Sequence, residues 1–208
     1  MARLAVAPVF PLPELSAALP PPPPAELDPY LDAAADCFAR HGIRRTSVQD
    51  VARQLGLNRA TVYRQVGTVE QMVRLLLARE LHELVEFLPT QLKTSDGPEV
   101  VIELMAVVVD YARHHPVIVK VLADEPEMIG PFLVSDLPQV VTRVATQITP
   151  LLKFAMKSGV IAQRDPRLTA EWLGRTALTL VLAPPPGDLR VFLAELLLPA
   201  LSPTKETR

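Results

Sequence analysis

Near the N-terminal third of the chain, the run Asn58 to Val66 reads NRATVYRQV and sets Arg59, Thr61, Tyr63, Arg64 and Gln65 at helical spacing. These are hydrogen-bond donors of the kinds that read nucleic acid. A guanidinium can fork onto guanine O6 and N7, an amide side chain can pair with adenine, and hydroxyls and guanidinium groups bond phosphate. A good bidentate pair discriminates against the wrong base by about 1–3 kcal/mol. For that chemistry the five side chains must enter a groove together, and the major groove admits one α-helix.

The residues before this run supply what would carry such a helix. Val48, Val51, Ala52 and Leu55 recur at i, i+3, i+4 and i+7, which predicts an amphipathic helix with Gln49, Asp50, Arg53 and Gln54 turned to water. Ser47 can cap it with Asp50 in the acidic slot of a capping box, Gly56 can stop it, and Asn58 can cap the next helix. Helix, glycine turn, helix is the pattern of a helix-turn-helix, whose second helix lies in the major groove.

Charge supports the same stretch. The 208-residue chain has a net charge of −2, which alone argues against a nucleic-acid partner, but the charge is unevenly spread. Between Arg40 and Val66 stand six basic residues, all arginine (Arg40, Arg44, Arg45, Arg53, Arg59 and Arg64), against the single acid Asp50. The flanking segments are both acidic. Arginine suits phosphate and guanine because its planar fork matches both.

A hydrophobic fraction of 49% with 21% charged residues describes a globular chain, and an aromatic share of 5% leaves aliphatic side chains to fill its core. The one cysteine, Cys37, rules out an intramolecular disulfide and suits a reducing cytoplasm as a small buried residue. Neither a signal peptide nor a membrane span is expected, because proline interrupts every apolar stretch near the N-terminus. His114-His115 diverge by about 100° on a helix and have no cysteine or acidic cluster beside them, so no metal is expected. No cofactor motif, nucleophile elbow, phosphate loop or paired carboxylates point to an enzyme.

Residues 1–27, ending in the proline run 20–24, are expected to form an extended arm. A first helix is expected from Asp28 as cap and Pro29 to His41, with Leu31, Ala34, Ala35 and Phe38 on one face and Gly42 as its stop. A long fourth helix should open at Thr68 with Gln71 in the capping-box position and run to about Leu92, its Arg74, Arg79, Glu80, Glu83 and Glu86 forming a solvated face. A nearly all-apolar, buried helix follows over 99–114, then a short one from Pro116 to about Ala123 and an ambiguous stretch over 127–136. Helices over 137–158 with a kink at Pro150, from Asp165-Pro166 to about Leu182, and from Asp188 to about Leu201 complete the chain. No stretch alternates with period two, so the fold class is all-α with about nine helices.

The residues 31–77, LDAAADCFARHGIRRTSVQDVARQLGLNRATVYRQVGTVEQMVRLLL, resemble the TetR family of transcriptional regulators. The likeness lies in the Ala-rich first helix ending in Phe38 and Gly42, in Thr46-Ser47-Val48, Leu55-Gly56-Leu57 and Thr61-Val62-Tyr63, and in Glu70. It implies a three-helix DNA-binding domain over 28–67, joined to a helical effector-binding and dimerisation domain over 68–208. It also implies a homodimer through the last two helices, to which DPRLTAEWLGRTALTLVL (165–182) is similar, and an inverted-repeat operator of duplex DNA. By matched position, Thr46, Tyr63 and Arg64 would touch phosphate, Thr61 phosphate or base, and Gln49, Arg59 and Gln65 base edges. Arg44, Arg45 and Asn58 complete the candidate DNA contacts. Where the family often has Lys near the start of the fourth helix, this chain has Val69, so one phosphate contact is missing.

The central helices offer flexible apolar volume from Met105, Val108, Met128, Phe132, Val144 and Ile148, extended by Leu151 and Phe154. Tyr111, His115, Gln147 and Arg175 are candidate polar handles, and Trp172 belongs to either this site or the dimer face. The resemblance implies a repressor released from its operator by an effector, and these apolar residues favour a small hydrophobic one. Two alternatives stay open: a DNA-binding regulator controlled by a partner protein, and a helical lipid-binding protein or enzyme.

Overall fold

A computed structural model describes residues 21–91 and 97–203, and most of the expected N-terminal arm (1–20) lies outside them. The fold is all-α, and among the described residues there is no strand. Among the described residues nine helices have eight or more residues: α1 (Asp28–His41), α2 (Val48–Leu55), α3 (Arg59–Val66), α4 (Val69–Gln91), α5 (Glu99–His114), α6 (Pro116–Asp124), α7 (Leu137–Lys157), α8 (Pro166–Leu182) and α9 (Leu189–Leu201). No helix among the described residues is long and apolar enough to cross a membrane.

The chain divides into two compact units. Of the described residues, one unit holds those within 21–84 and 111–137, and the other those within 85–110 and 138–203. In the first, α1, α2, α3 and the start of α4 enclose a small core in which Leu31, Phe38, Val51, Val62 and Met72 are fully buried. Val117 of α6 joins it, and Val69, Leu55 and Ile43 pack at its edge. Val69 is thus a core position, which is why it is apolar.

Local signals end and begin these helices largely where the sequence places them. Ser47 and Asp50 form a reciprocal capping box on α2, with Asp50 N donating to Ser47 Oγ at 3.3 Å and Ser47 N to Asp50 Oδ2 at 2.9 Å. The hydrogen bonds from the Ser47 hydroxyl and main chain hold the Asp50 carboxyl below the usual carboxylate range. Gly56 ends α2 in the left-handed region (φ +67°), Asn58 Oδ1 caps α3 through Ala60 N at 2.8 Å, and Thr68 with Gln71 caps α4.

The start of α1 differs from expectation. A 3-10 turn, Ala25–Leu27, precedes it, the cap position falls on Leu27 without a side-chain bond, and Asp28 is the first helical residue. The Asp28 carboxylate instead lies 3.7 Å from Arg79 Nη1. The ambiguous 127–136 stretch is an irregular helical run: a 3-10 turn (Pro126–Met128), a single α-turn (Ile129–Pro131) and a π-turn (Phe132–Asp136) leading into α7.

In the second unit α5 buries Val100, Val101, Ile102, Met105, Ala106, Val107 and Val109, as an all-round apolar helix must. Gly174 of α8 lies against Val141 and Val144 of α7. Pro150 sits inside α7, where it has no N–H to donate. The segment 160–162 runs buried, and Ala162 N donates to Leu201 O at 2.7 Å, tying it to the end of α9. Asp165 and Asp188 cap α8 and α9.

Gly42 and Gly56 both have positive φ, but only Gly42 is crowded: a Cβ there would collide with the Glu125 carboxylate, whereas Gly56 faces open space. Gly56→Ala is expected to lose about 1–2 kcal/mol of stability from backbone strain alone, and Gly42→Ala clearly more, as read by urea denaturation of both variants.

Candidate nucleic-acid interface

Helix α3 places its apolar side chains by periodicity. Val62 and Val66 point into the core, and this turns Tyr63, Arg64 and Gln65 away from it, with Tyr63 52% exposed and Thr61 half-buried, while Arg59 is exposed at the first turn of the helix. Gln49 of α2 is exposed as well. Among the described residues no ion pair or hydrogen bond occupies the Arg59 or Arg64 guanidinium. An open groove of about 580 Å³ beside α3 is lined by Tyr63, Arg64, Gln65, Gln71, Arg74 and Leu75. Arg74, which the sequence places on a merely solvated face of α4, therefore shares a groove with the α3 donors.

The arginine-rich stretch is not one uniform patch. Arg53 pairs with Asp50 at 3.0 Å, Arg40 with Asp36 at 3.7 Å, Arg45 with Asp124 at 3.6 Å, and Arg44 with Glu127. Arg59 and Arg64 are the two of the six that carry no ion pair. Most of the concentrated charge seen in sequence is thus locally compensated, some of it by acids more than 75 residues away.

Thr46 departs from its expected role. It is 6% exposed, and its hydroxyl donates to Gly42 O at 2.7 Å inside the α1–α2 turn. A buried hydroxyl already bonded to main chain holds the turn rather than reaching phosphate. Asn58 likewise has its side-chain oxygen engaged as the α3 cap.

The family model for bacterial regulatory proteins, tetR family, matches residues 31–74, the span that contains α1, α2, α3 and the start of α4. The helix-turn-helix domain of this chain belongs to the TetR family. An uncharacterised HTH-type transcriptional regulator of Mycobacterium tuberculosis is 26% identical over 95 residues, 46% of this chain and 49% of that protein. The chain thus spans about half the length of the curated relatives it matches. The fold of the whole chain is also that of solved TetR structures. A TetR-family regulator of Pectobacterium atrosepticum has a TM-score of 0.60 at 18% identity, covering 91% of each chain. SmeT in complex with triclosan has 0.55 at 21% identity, covering 88% of this chain and 94% of SmeT.

The candidate effector residues of the chain fall into both units. In one, Met105 and Leu151 are buried, Val108, Val144, Gln147 and Ile148 are half-buried, and Phe154, Trp172 and Arg175 are exposed. Arg175 lies 4.0 Å from Glu171. In the other stand Tyr111, His115 and the half-buried Met128; the side chain of Phe132 is outside the described set.

Tyr111 and His115 meet a partner that the sequence hid. Glu80 of α4 accepts from the Tyr111 hydroxyl at 3.0 Å and has His115 Nε2 at 3.2 Å, with Arg79 Nη2 at 3.7 Å. Arg79 in turn reaches Asp32 at 2.7 Å and Glu83 at 3.4 Å. Arg79 and Glu80 are mostly buried in a polar network, whereas Arg74, Glu83 and Glu86 of the same face are exposed as expected. Burial, together with its bond to Glu80, pushes the Tyr111 hydroxyl up, and His115 Nδ1 is buried without a hydrogen-bond partner.

The hydrogen bond from His115, outweighing burial, holds the Glu80 carboxyl below its ordinary value. A carboxyl depressed on folding stabilises the fold above the unfolded-state value, and that contribution is lost as pH falls through the folded value. Glu80→Gln is therefore expected to lower stability at pH 7 and to flatten the acid side of the stability profile. Urea titrations between pH 3 and 7 that give parallel curves for both proteins would count against this coupling.

Proposed function

We propose that the protein is a transcriptional regulator of the cytoplasm that binds an inverted repeat of duplex DNA as a homodimer, represses from it, and is released by a small hydrophobic effector. The observation that carries the DNA-binding part is the outward set Arg59, Tyr63, Arg64 and Gln65 on a capped α3 whose own arginines are unpaired. Arg59 and Gln65 read base edges, Tyr63 and Arg64 bond phosphate, and Arg74 adds a cation to the same groove, where Val69 supplies none. Residues 28–67 act as the reading head and 68–208 as the part that senses and dimerises.

Dimerisation is supported by a large apolar surface on the last two helices. Leu168 and Trp172 of α8 are 66% and 44% exposed, and Val191 and Leu196 of α9 are 62% and 55% exposed. Leu168 and Trp172 are one turn apart, as are Phe192 and Leu196, so each pair makes a ridge. Surface of this kind on a chain of this size is expected to be covered. Trp172 accordingly belongs with the dimer face rather than with the effector site.

The effector reading rests on the preponderance of apolar side chains among the candidates of the unit that holds Met105, Val108, Val144, Ile148 and Leu151, with Gln147 as its polar point. SmeT, a neighbour in fold, was solved in complex with triclosan, which supports a small-molecule effector for this chain. Effector release requires that the ligand bind the DNA-competent and DNA-incompetent states with different affinity.

Selection of bound sequences from random duplex DNA tests the reading. Inverted repeats are expected from the native protein; Arg59→Ala should lose about 1–3 kcal/mol of discrimination at one base-pair position, while Tyr63→Ala should weaken all sites alike. Sequence-independent binding by all three proteins would remove the assigned roles. Separately, Trp172→Glu with Leu196→Glu is expected to give a monomer in sedimentation and to abolish the preference for a full over a half site; an unchanged dimer would locate the interface elsewhere.

A further inference from the structure

The turn between α1 and α2 is held by a carboxylate from another part of the chain. Glu125, the residue after α6, is 3% exposed, and its Oε2 accepts from Ile43 N at 2.9 Å while its Oε1 accepts from Arg44 N at 3.0 Å. Gly42 has no side chain, and that lets the carboxylate close on the main chain. The Thr46 hydroxyl, donating to Gly42 O, seals the other side of the turn. A buried carboxylate needs such donors, and two main-chain N–H groups fix its direction as well as satisfy it.

On either side of Glu125 stand two acids with a different task. Asp124 Oδ2 lies 3.6 Å from Arg45 Nη2 and 2.5 Å from Lys120 Nζ, and Glu127 pairs with Arg44. Arg45 Nε also donates to His41 O at 3.0 Å. Both guanidinium groups remain more than half exposed, so they are close enough to solvent to reach phosphate yet are held toward the acidic turn. Exposed pairs of this sort are weak and are readily exchanged for another anion.

We propose that Glu125 is the positioning residue of the helix-turn-helix, pinning the α1–α2 turn by two main-chain hydrogen bonds, while Asp124 and Glu127 restrain Arg44 and Arg45 from phosphate. The turn 124–127 thereby sets how many phosphates the protein neutralises, and with it the balance between sequence-specific and general DNA affinity. Specific binding needs that restraint, because each added phosphate contact strengthens every site equally and adds no sequence information. The proposal rests on the DNA-binding reading above.

The test measures affinity for the selected inverted repeat and for unrelated duplex DNA over a range of salt concentrations. Asp124→Asn with Glu127→Gln frees both arginines. It is expected to steepen the slope of log affinity against log salt by about 0.9 for each arginine that gains a phosphate, and to narrow the ratio of specific to general affinity. Glu26→Gln with Glu99→Gln removes the same charge at exposed positions away from the turn and is expected to leave the slope unchanged.

Glu125→Gln keeps the shape of the side chain but sets an NH2 group against a main-chain N–H. It is expected to speed amide hydrogen exchange at Ile43 and Arg44 and to lower the specific-to-general ratio about tenfold, measured well below its melting temperature. A purely structural role would lower the melting temperature and leave that ratio untouched, which would overturn the positioning role. An unchanged slope in the Asp124/Glu127 variant, or an equal change in the charge-matched control, would overturn the restraint. Absence of salt-dependent DNA binding by the native protein would overturn the DNA-binding reading itself, and this proposal with it.

Discussion

The burial of Val62 and Val66 against Phe38, Val51 and Met72 is the constraint on which the candidate DNA-reading surface depends. A helix of eight residues cannot persist on its own propensity, because nucleation is costly and few hydrogen bonds follow it. Helices α2 and α3 therefore exist only because they share this core, and the core sets their rotation. With Val62 and Val66 inward, a 3.6-residue period turns Arg64 directly outward and Tyr63 and Gln65 to the flanks, while Arg59, the residue after the cap, is exposed at the first turn of the helix. Caps at Ser47, Asn58 and Thr68 then satisfy the helix ends that the short lengths would otherwise leave bare.

Electrostatics divides the surface around that core. Six arginines lie between Arg40 and Arg64, yet four of them have carboxylate partners, and Arg44 and Arg45 find theirs on the turn after α6. Among the described residues, the two without a carboxylate partner are Arg59 and Arg64 of α3. A patch that looks uniformly basic in sequence is thus sorted by tertiary structure into residues free to meet a polyanion and residues already engaged. The same holds on α4, where Arg79 and Glu80 turn from solvent into a network with Asp32, Tyr111 and His115.

Helix boundaries were legible because they rest on neighbours in sequence. The Ser47–Asp50 capping box, the glycine stops at Gly42, Gly56 and Gly67, and the Asp165 and Asp188 caps all involve residues within four positions of one another. The start of α1 falls one residue before the expected one, and the Asp28 carboxylate lies 3.7 Å from Arg79, an approach that no local pattern announces. Thr46 was misread for a related reason. A threonine at the mouth of a helix-turn-helix looks exposed until the turn folds its hydroxyl onto Gly42 O.

By itself, then, the sequence determined an all-α chain, a capped helix-turn-helix over Thr46 to Val66, and the donor face of α3, since periodicity and capping act over a few residues. Tertiary structure alone decided which charges are free. Coulombic and hydrogen-bond partners are chosen by distance in space, and the partners that matter here, Glu125 to Ile43 and Arg44, Glu127 to Arg44, and Glu80 to Tyr111 and His115, are separated by 31 to 83 residues of chain. No pattern of neighbouring residues encodes that approach; it follows from the packing of α6 on α1 and of α4 within the same unit.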